Sequence, residues 1–395
     1  MSDWDSAVRG AVNVEIEKHL REALDSGRTL RVKFGIDPTS PDIHLGHTVV
    51  LGKLRDFQEL GHQAVLIIGD FTARIGDPSG QSATRRPLTE EEVEANATTY
   101  LEQVFKVLDR EDTEVRRQSE WYGDLDLAGV LRLASTATLA QITTRDDFRR
   151  RIEAGSPIGL HELMYPLMQG YDSVAIRSDV ELGGTDQLFN LMFGRDLQRE
   201  SGQEPQDVVT MPLLEGLDGV QKMSKSLGNY VGVTDPPADM FGKLMSVPDE
   251  LITRYMRLAA GVPEEIVMEH EQTMAGGSNP RDAKVALARA VVARFHTAAD
   301  ADAAEAAFAS QFKQGTAPDK MTELPVSHFA GGRTVAAALN DSGLAKSLSD
   351  ARRLISQGGV KVDGRPVTDV NYPFDAVAGA VLQVGKRHFV RVVEG

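Results

Sequence analysis

The chain contains no cysteine. That one absence excludes a disulfide framework, a thiolate nucleophile and a Cys-ligated zinc. Nowhere does an apolar run approach the roughly 18 residues that a membrane span needs. The first twenty residues, "MSDWDSAVRGAVNVEIEKHL", are acidic and amphipathic. They lack the basic n-region and apolar h-region of a signal peptide, so a cytoplasmic location is the expectation. Aromatic residues make up only 6% of the chain. Positive charge is also in the minority, with 43 Lys and Arg against 58 Asp and Glu and a net charge of −15. Such a chain does not coat nucleic acid wholesale, although a local basic patch is compatible with it.

What is present is a soluble globular composition, 41% hydrophobic and 26% charged, over 395 residues. That length exceeds one ordinary core and implies two or three domains. The charge is uneven. From Arg333 to Gly395, nine Lys and Arg meet six Asp and Glu, a local +3 that leaves −18 on residues 1–332. A basic tail module on an acidic body is the asymmetry to follow.

Residues 5–26 have the period of an amphipathic helix. "LRVKFGI" (30–36) reads as a strand, followed by a proline loop over 37–43 and a helix over about 46–60. "AVLIIGD" (64–70) is a short apolar run closed by Gly69, as expected of a buried parallel strand. Strand, loop, helix and strand in this order form a βαβ unit, so a nucleotide-binding α/β domain is the leading fold. Further helices are expected at 89–108 and 156–174, a strand into a turn at 207–219, and a polar loop at 221–233. Residues 234–315 are mostly helical, with breaks at "DPP", "VPDE" and "GGSNP", and 313–332 is the linker candidate. Two short helices and strands in "GGVKVDGRPV" and "VLQVGKRHFVRVV" complete the tail. The domain boundaries expected are 1–232, 233–330 and 331–395.

Two motifs carry chemistry. In "GIDPTSPDIHLGHTVVLGKL", His44 and His47 flank Gly46 where the proline loop enters a helix. A helix N-terminus favours anions, a glycine allows close approach, and imidazole N–H groups can donate to phosphate oxygens. A plain helix start and a metal site are the alternatives, and no third metal ligand suggests itself. In "KMSKS", Lys222 and Lys225 sit three apart in a polar loop. They are either a polyphosphate clamp or a solvated lysine loop. Tyr165, Gln169 and Asp172 share one helical face by their spacing. Asp and Gln are poor core residues, which favours a binding role.

The pairing of "HLGH" with "KMSKS" resembles the signatures of class I aminoacyl-tRNA synthetases. "IGDFTARIGDPSG", "YPLMQGYDSV" and "GGTDQLFN" narrow the likeness to the bacterial tyrosyl-tRNA synthetases, and "DARRLISQGGVKVDG" (350–364) resembles an S4 RNA-binding domain. The resemblance covers essentially the whole chain. It implies a Rossmann-like catalytic domain with a parallel sheet, then a helical domain, then a small α+β S4-like domain. It also implies tyrosine–tRNA ligation, with L-tyrosine, ATP with Mg²⁺, and tRNA(Tyr) as partners in a homodimer. His44, His47, Lys222 and Lys225 would be catalytic. Asp37, Thr39, Gly46, Gly183, Gly184, Asp186, Met223 and Ser224 would join them around ATP. Gly35, Asp77, Tyr165, Gln169, Asp172 and Gln187 would hold tyrosine, with Asp172 accepting from the phenol. Lys346, Arg352, Arg353 and Lys361, with Lys386, Arg387 and Arg391, would meet RNA.

Lys33 and Gln118 depart from the family pattern, which often has a tyrosine and an asparagine there. A pairing of Lys33 with Asp172 is the expectation that follows. Two other functions stand beside this one: a tryptophan-specific class I synthetase, and a non-catalytic RNA-binding paralogue.

Overall fold

The structure, a computed structural model, describes residues 2–76, 88–314, 321–329, 334–385 and 388–394. Two compact units emerge, Met1–Asp302 and Ala303–Gly395. The first is built on a six-stranded sheet. Its strands are β1 (Asn13–Glu15), β2 (Arg31–Ile36), β3 (Gln63–Ile68), β4 (Thr113–Arg117), β5 (Val180–Gly184) and β6 (Asp207–Met211), in spatial order β1-β6-β5-β2-β3-β4. All neighbours run parallel except β1, which lies antiparallel to β6 on the edge. The apolar runs in β3 and β6 are buried on both faces, as strands covered by helices on each side must be.

The expected single helix over 5–26 is two helices, Asp3–Val8 and Glu17–Asp25, with β1 between them. Gly10 at φ +74° and Ile16 at φ +63° break the helical path, and pairing to β6 satisfies the backbone between them. The βαβ unit is present as read: β2, the helix Leu45–Glu59 and β3. That helix buries Leu45, Val49, Leu54 and Phe57 along its inner stripe. The helix expected at 156–174 runs over Leu160–Ile176. It lies close against the helix Leu188–Glu200 because Gly170 faces Gly194; a Cβ at Gly170 would come within 3.2 Å of the Gly194 nitrogen. Beyond the sheet, helices at Pro237–Met245, Ile252–Tyr255 and Pro280–Phe295 follow the breaks read from the sequence, and Glu264–Ala275 starts after a further one at Pro263.

Sheet order places a switch point between β2 and β5. From β2 the chain winds toward β3 and β4, and from β5 it winds toward β6. Ligand crevices in open α/β sheets form at the carboxyl ends of strands at such a point. Here β2 and β5 pair at only two registers, Val32 with Val180 and Lys33 with Glu181. Past that rung they part, and Gly35, Ile36, Gly183 and Gly184 line the fork.

The second unit has its own sheet and core. Strands β7 (Thr322–Pro325), β8 (Val360–Val362), β9 (Arg365–Val367), β10 (Val381–Val384) and β11 (His388–Val393) take the order β7-β11-β10-β8-β9. Val335, Leu339, Ile355, Val360, Leu382 and Val392 form its interior. Strands β8 and β9 are joined by Asp363 and Gly364, both at positive φ, the geometry of a two-residue hairpin turn. The stretch 313–332, expected as linker, contains β7, which pairs in parallel with β11. Its short "TELP" reads as loop in isolation because the partner that makes it a strand lies at the far end of the chain.

Candidate active site

The first strand of the βαβ unit delivers the chain to the crevice, and the helix Leu45–Glu59 starts there. Its N-cap is His44, an uncommon choice. The His44 Nδ1 accepts from the Gly46 N–H at 3.2 Å, and the His47 Nδ1 accepts from the His44 N–H at 3.2 Å. Both acceptor bonds assign the ring proton to Nε2, so each imidazole points an N–H away from the backbone. The two rings lie 3.9 Å apart. Burial, followed by the charge of neighbouring groups, lowers His44 to about 2 and His47 to about 4. Both are therefore neutral single donors at physiological pH. Gly46 must be small, because a Cβ there would sit 3.0 Å from the His44 ring.

The polar loop 221–233 borders the same helix start. Leu45 N–H donates to the Val231 carbonyl and Val233 N–H to the Ile43 carbonyl, which fastens the loop's end to the histidine turn. Met223 is buried and donates its N–H to the Leu214 carbonyl, between the exposed Lys222 and the half-buried Lys225. Lys222 pairs with Asp186 at 2.9 Å, and Lys225 with Asp42 at 3.3 Å and the Ser40 hydroxyl at 3.0 Å. Burial lowers the Lys225 ammonium, with Asp42 opposing. Asn229 was not read from the sequence, yet it organises the loop. Its Oδ1 accepts from the Ser224 N–H at 2.8 Å, and its Nδ2 donates to Asp218 at 2.5 Å and to the Lys222 carbonyl at 3.3 Å.

Across the crevice, the helix Leu160–Ile176 presents Tyr165, Gln169 and Asp172 on one face, as their spacing predicts. The Tyr165 hydroxyl donates to Asp37 at 2.8 Å. Asp37, read with the nucleotide group, therefore borders the amino-acid group too, and it also accepts from the Thr72 hydroxyl at 2.7 Å. Gly69 makes room for this contact; a Cβ there would lie 2.1 Å from an Asp37 oxygen. Gln169 accepts from Asn190 at 2.8 Å, and Asn190 also donates to Gln187 at 3.1 Å. Asn190 is in turn held by Arg145 at 3.0 Å. Neither Asn190 nor Arg145 was predicted: a polar residue on a helix reads as surface until tertiary packing buries it.

Asp172 lies at the bottom, 2% exposed. Gln118 Nε2 donates to one of its oxygens at 2.8 Å and the Trp121 indole N–H to the other at 3.1 Å. Gln118 is oriented by Thr72, whose backbone N–H donates to its carbonyl oxygen at 3.0 Å. Burial raises the Asp172 carboxyl to about 7; the Lys33 charge and these two hydrogen bonds oppose the rise and the Glu181 charge adds to it. The expected pairing of Lys33 with Asp172 is not the one formed. Lys33 pairs with Glu181 at 2.8 Å, because the two are register partners on the same face of adjacent parallel strands.

Gly35 is exposed in the fork, and a Cβ there would meet nothing within 4 Å. Thr39 closes a turn by donating its N–H to the Asp37 carbonyl. Gly183 and Gly184 end β5, both too close to Gln187, Leu191, Asp186 or Leu213 to carry a side chain without a shift. Asp77 lies outside the described residues, as do Lys386 and Arg387. In the second unit, Lys346, Arg352 and Arg353 are exposed, with Arg353 paired to Asp350 at 2.6 Å, while Lys361 is half-buried on β8. Arg391 lies 3.6 Å from Glu323.

A cleft with neutral histidine donors and two lysines on one wall and a buried carboxylate on the other suits an anionic, phosphate-bearing ligand joined to a small polar one. Comparison with known proteins gives the same direction. Residues 25–313 match the family described as tRNA synthetases class I (W and Y), and residues 335–378 match the S4 domain. The tyrosine–tRNA ligase of Photobacterium profundum is 53% identical over 384 residues, 97% of this chain and 96% of its own. That of Moorella thermoacetica is 55% identical over 379 residues, 96% of this chain and 91% of its own. Among solved structures, the tyrosyl-tRNA synthetase of Archaeoglobus fulgidus complexed with L-tyrosine aligns at a TM-score of 0.62 and 26% identity, over 76% of this chain and 98% of that one.

Proposed function

The chain belongs to the class I tRNA synthetases of the tryptophan and tyrosine group, as a tyrosine–tRNA ligase, and on that premise we propose how its residues divide the work. Tyrosine enters the fork with its phenol toward Asp172 and its ammonium toward Tyr165, Gln169 and Asp77. Gln187 stands beside the carboxyl group, and Gly35 leaves space for the ligand to lie on β2. ATP lies across the histidine turn, with its phosphates toward His44, His47, Lys222 and Lys225 and its ribose toward Asp186 and the backbone at Gly183 and Gly184. Asp37, Thr39, Gly46, Met223 and Ser224 border it. Mg²⁺ would come with the nucleotide phosphates, as their counter-ion.

In the first step a tyrosine carboxylate oxygen attacks the α-phosphorus, and the bond to the pyrophosphate oxygen breaks. The nucleophile is already ionised, so no general base is needed. The barrier is lowered by alignment and by donors aimed at oxygens that gain charge. Two neutral Nε2–H groups suit that task because they need no proton before the reaction. The lysines leave Asp186 and Asp42 to meet the departing phosphates. In the second step a hydroxyl of the terminal adenosine of tRNA(Tyr) takes the tyrosyl group and AMP departs.

The observation that carries the amino-acid side is Asp172, a buried carboxylate held by two neutral donors, whose oxygens have lone pairs for a third. A site built to bond a hydroxyl rejects the analogue lacking it; the handling of tyrosine against phenylalanine by this enzyme class is the standard illustration, at about 10⁵-fold. On the RNA side, the exposed Arg352 and Arg353 of the S4 domain, with Lys346 and Lys361, support contacts to tRNA phosphates, and the helices from Pro237 to Phe295 serve the anticodon side. A homodimer is part of the proposal, supported by the exposed Leu127, Leu131, Leu139, Ile152 and Leu160. So is a cytoplasmic location; no described helix is long and apolar enough to cross a membrane.

The test is ATP–pyrophosphate exchange with each amino acid in turn, on the parent and on Lys225→Ala. Tyrosine-dependent exchange that Lys225→Ala slows while tyrosine still binds supports the assignment. Exchange at the parent rate removes the lysine clamp from it.

A further inference from the structure

The rung at which β2 and β5 part is closed by a buried ion pair that the catalytic scheme above leaves unused. Lys33 and Glu181 are 0% and 1% exposed, at 2.8 Å. Burying two charges is costly, and such a pair contributes little to stability over an apolar replacement. Its surroundings connect it to the specificity pocket. The Lys33 ammonium donates to the Gln169 carbonyl at 3.0 Å and to the Ser173 hydroxyl at 2.9 Å. Those two residues bracket Asp172 in the same helix. Glu181 accepts from Ser173 at 3.1 Å and from the Gln206 amide. Gly194 keeps this room open from the neighbouring helix; a Cβ there would meet Gln206, Ser173 and Glu181 between 2.7 and 3.3 Å.

We propose that the Lys33–Glu181 pair is a specificity-positioning element for tyrosine: it fixes the helical turn that carries Asp172 and supplies the positive charge beneath its carboxylate. The inference rests on the reading of Asp172 as the acceptor of the phenol. Groups facing Asp172 come from every neighbouring element: Lys33 on β2, Glu181 on β5, Gln118 and Trp121 after β4, and Tyr122, whose own phenol is engaged by the Met168 carbonyl at 2.8 Å. Of these Lys33 favours the ionised carboxylate and Glu181 disfavours it as charges, Gln118 and Trp121 favour it as hydrogen-bond donors, and the Tyr122 phenol, pushed well above its ordinary range by burial, stays neutral. An ionised Asp172 binds a phenol O–H more strongly than a protonated one does. Nothing in phenylalanine senses the difference.

The sign follows. Asp172 lies near 7, so tyrosine binds best above that pH and its KM rises as pH falls through it. Removing Lys33 while Glu181 stays leaves two buried carboxylates and no cation between them. The acid limb of the tyrosine KM profile then moves up by about one unit or more, roughly fivefold or more in KM at pH 7. Removing both charges takes away an opposing pair whose lysine member is the larger influence, so the limb falls between those of the parent and the single variant.

The experiment is amino-acid activation by the full-length enzyme from pH 6 to 9, with tyrosine and with phenylalanine. The variants are Lys33→Met, Lys33→Met with Glu181→Gln, and Asp172→Asn. The double variant guards against misfolding, because it buries no uncompensated charge. The expected result is a tyrosine KM profile displaced in the order parent, double, single, with kcat changed less than KM and the phenylalanine KM level throughout. A folded double variant with the parent's profile and the parent's tyrosine-to-phenylalanine ratio overturns the proposal and leaves the pair as scaffold. If Asp172→Asn itself leaves the tyrosine profile unmoved, the reading of Asp172 fails, and the inference falls with it for that separate reason.

Discussion

Replacing Asn229 by alanine removes three hydrogen bonds without removing any side chain proposed to touch a ligand. The side chain is 6% exposed and ties Ser224, Asp218 and the Lys222 carbonyl into one fold of the loop. It fits against Gly216, where a Cβ would come 2.2 Å from its carboxamide, so alanine leaves a gap rather than a repacked neighbour. The Ser224 N–H loses its partner and Asp218 loses one of its donors. Leaving a buried polar group without its bond costs about 1–3 kcal/mol. That cost falls on the ordered form of the loop, the form from which Lys222 and Lys225 reach phosphate together. If the transition state requires that form, adenylate formation slows by roughly 5- to 150-fold. The assay is single-turnover rapid quench at saturating tyrosine and ATP, with tyrosine affinity measured separately by equilibrium dialysis. The expected outcome is a slower chemical step with unchanged tyrosine affinity. Adenylate formation at the parent rate refutes the argument, since it shows that the loop finds its working shape without Asn229.

Four further perturbations have expected outcomes. Trp121→Phe deletes one donor to Asp172 at about 0.5–1.5 kcal/mol, so the tyrosine KM rises roughly two- to tenfold with the ATP KM unmoved. Because that hydrogen bond helps hold the Asp172 carboxyl down, the loss of tyrosine affinity on acidification begins at higher pH; initial-rate kinetics across pH checks both. Truncation after residue 314 removes β7 together with the sheet it pairs into, and exchange activity persists while tRNA charging falls. A cut at 333 instead strands β7 at residues 322–325 without its partner β11, and the product is expected to aggregate in size-exclusion chromatography. Leu131→Asp combined with Leu160→Asp introduces charge into the exposed apolar surface and yields a monomer by sedimentation, whereas a persisting dimer places the interface elsewhere.

Much of this arrangement is legible in the residues themselves. The apolar runs at β2 and β3, the proline loop and the glycine between two histidines announce a strand, a crevice and a helix start, because local chemistry decides each. Tyr165, Gln169 and Asp172 share a face by helical period alone. The helix over 5–26 fails for a physical reason: its apolar residues satisfy a helical period and an edge strand about equally, and Gly10 with the β6 edge decides for the strand. The Lys33–Glu181 rung has no local signature, since it arises from register between strands far apart in sequence. Asn190 and Asn229 were missed for a similar reason, as polar residues whose partners are set by tertiary contacts.

The early parting of β2 from β5 has an energetic reading of its own. A parallel sheet gains cooperativity from each rung, and this one stops two rungs in, at the place where substrates are proposed to lie. Ligands seated there bridge the two halves of the doubly wound domain and take the place of rungs the chain does not make for itself. Binding then acts on the fold as well as on the reaction, by mass action on the native state. Amide hydrogen exchange carries the signature: protection spreads into β2 and β5 themselves, tightening a seam through the middle of the enzyme rather than only the loops around its rim.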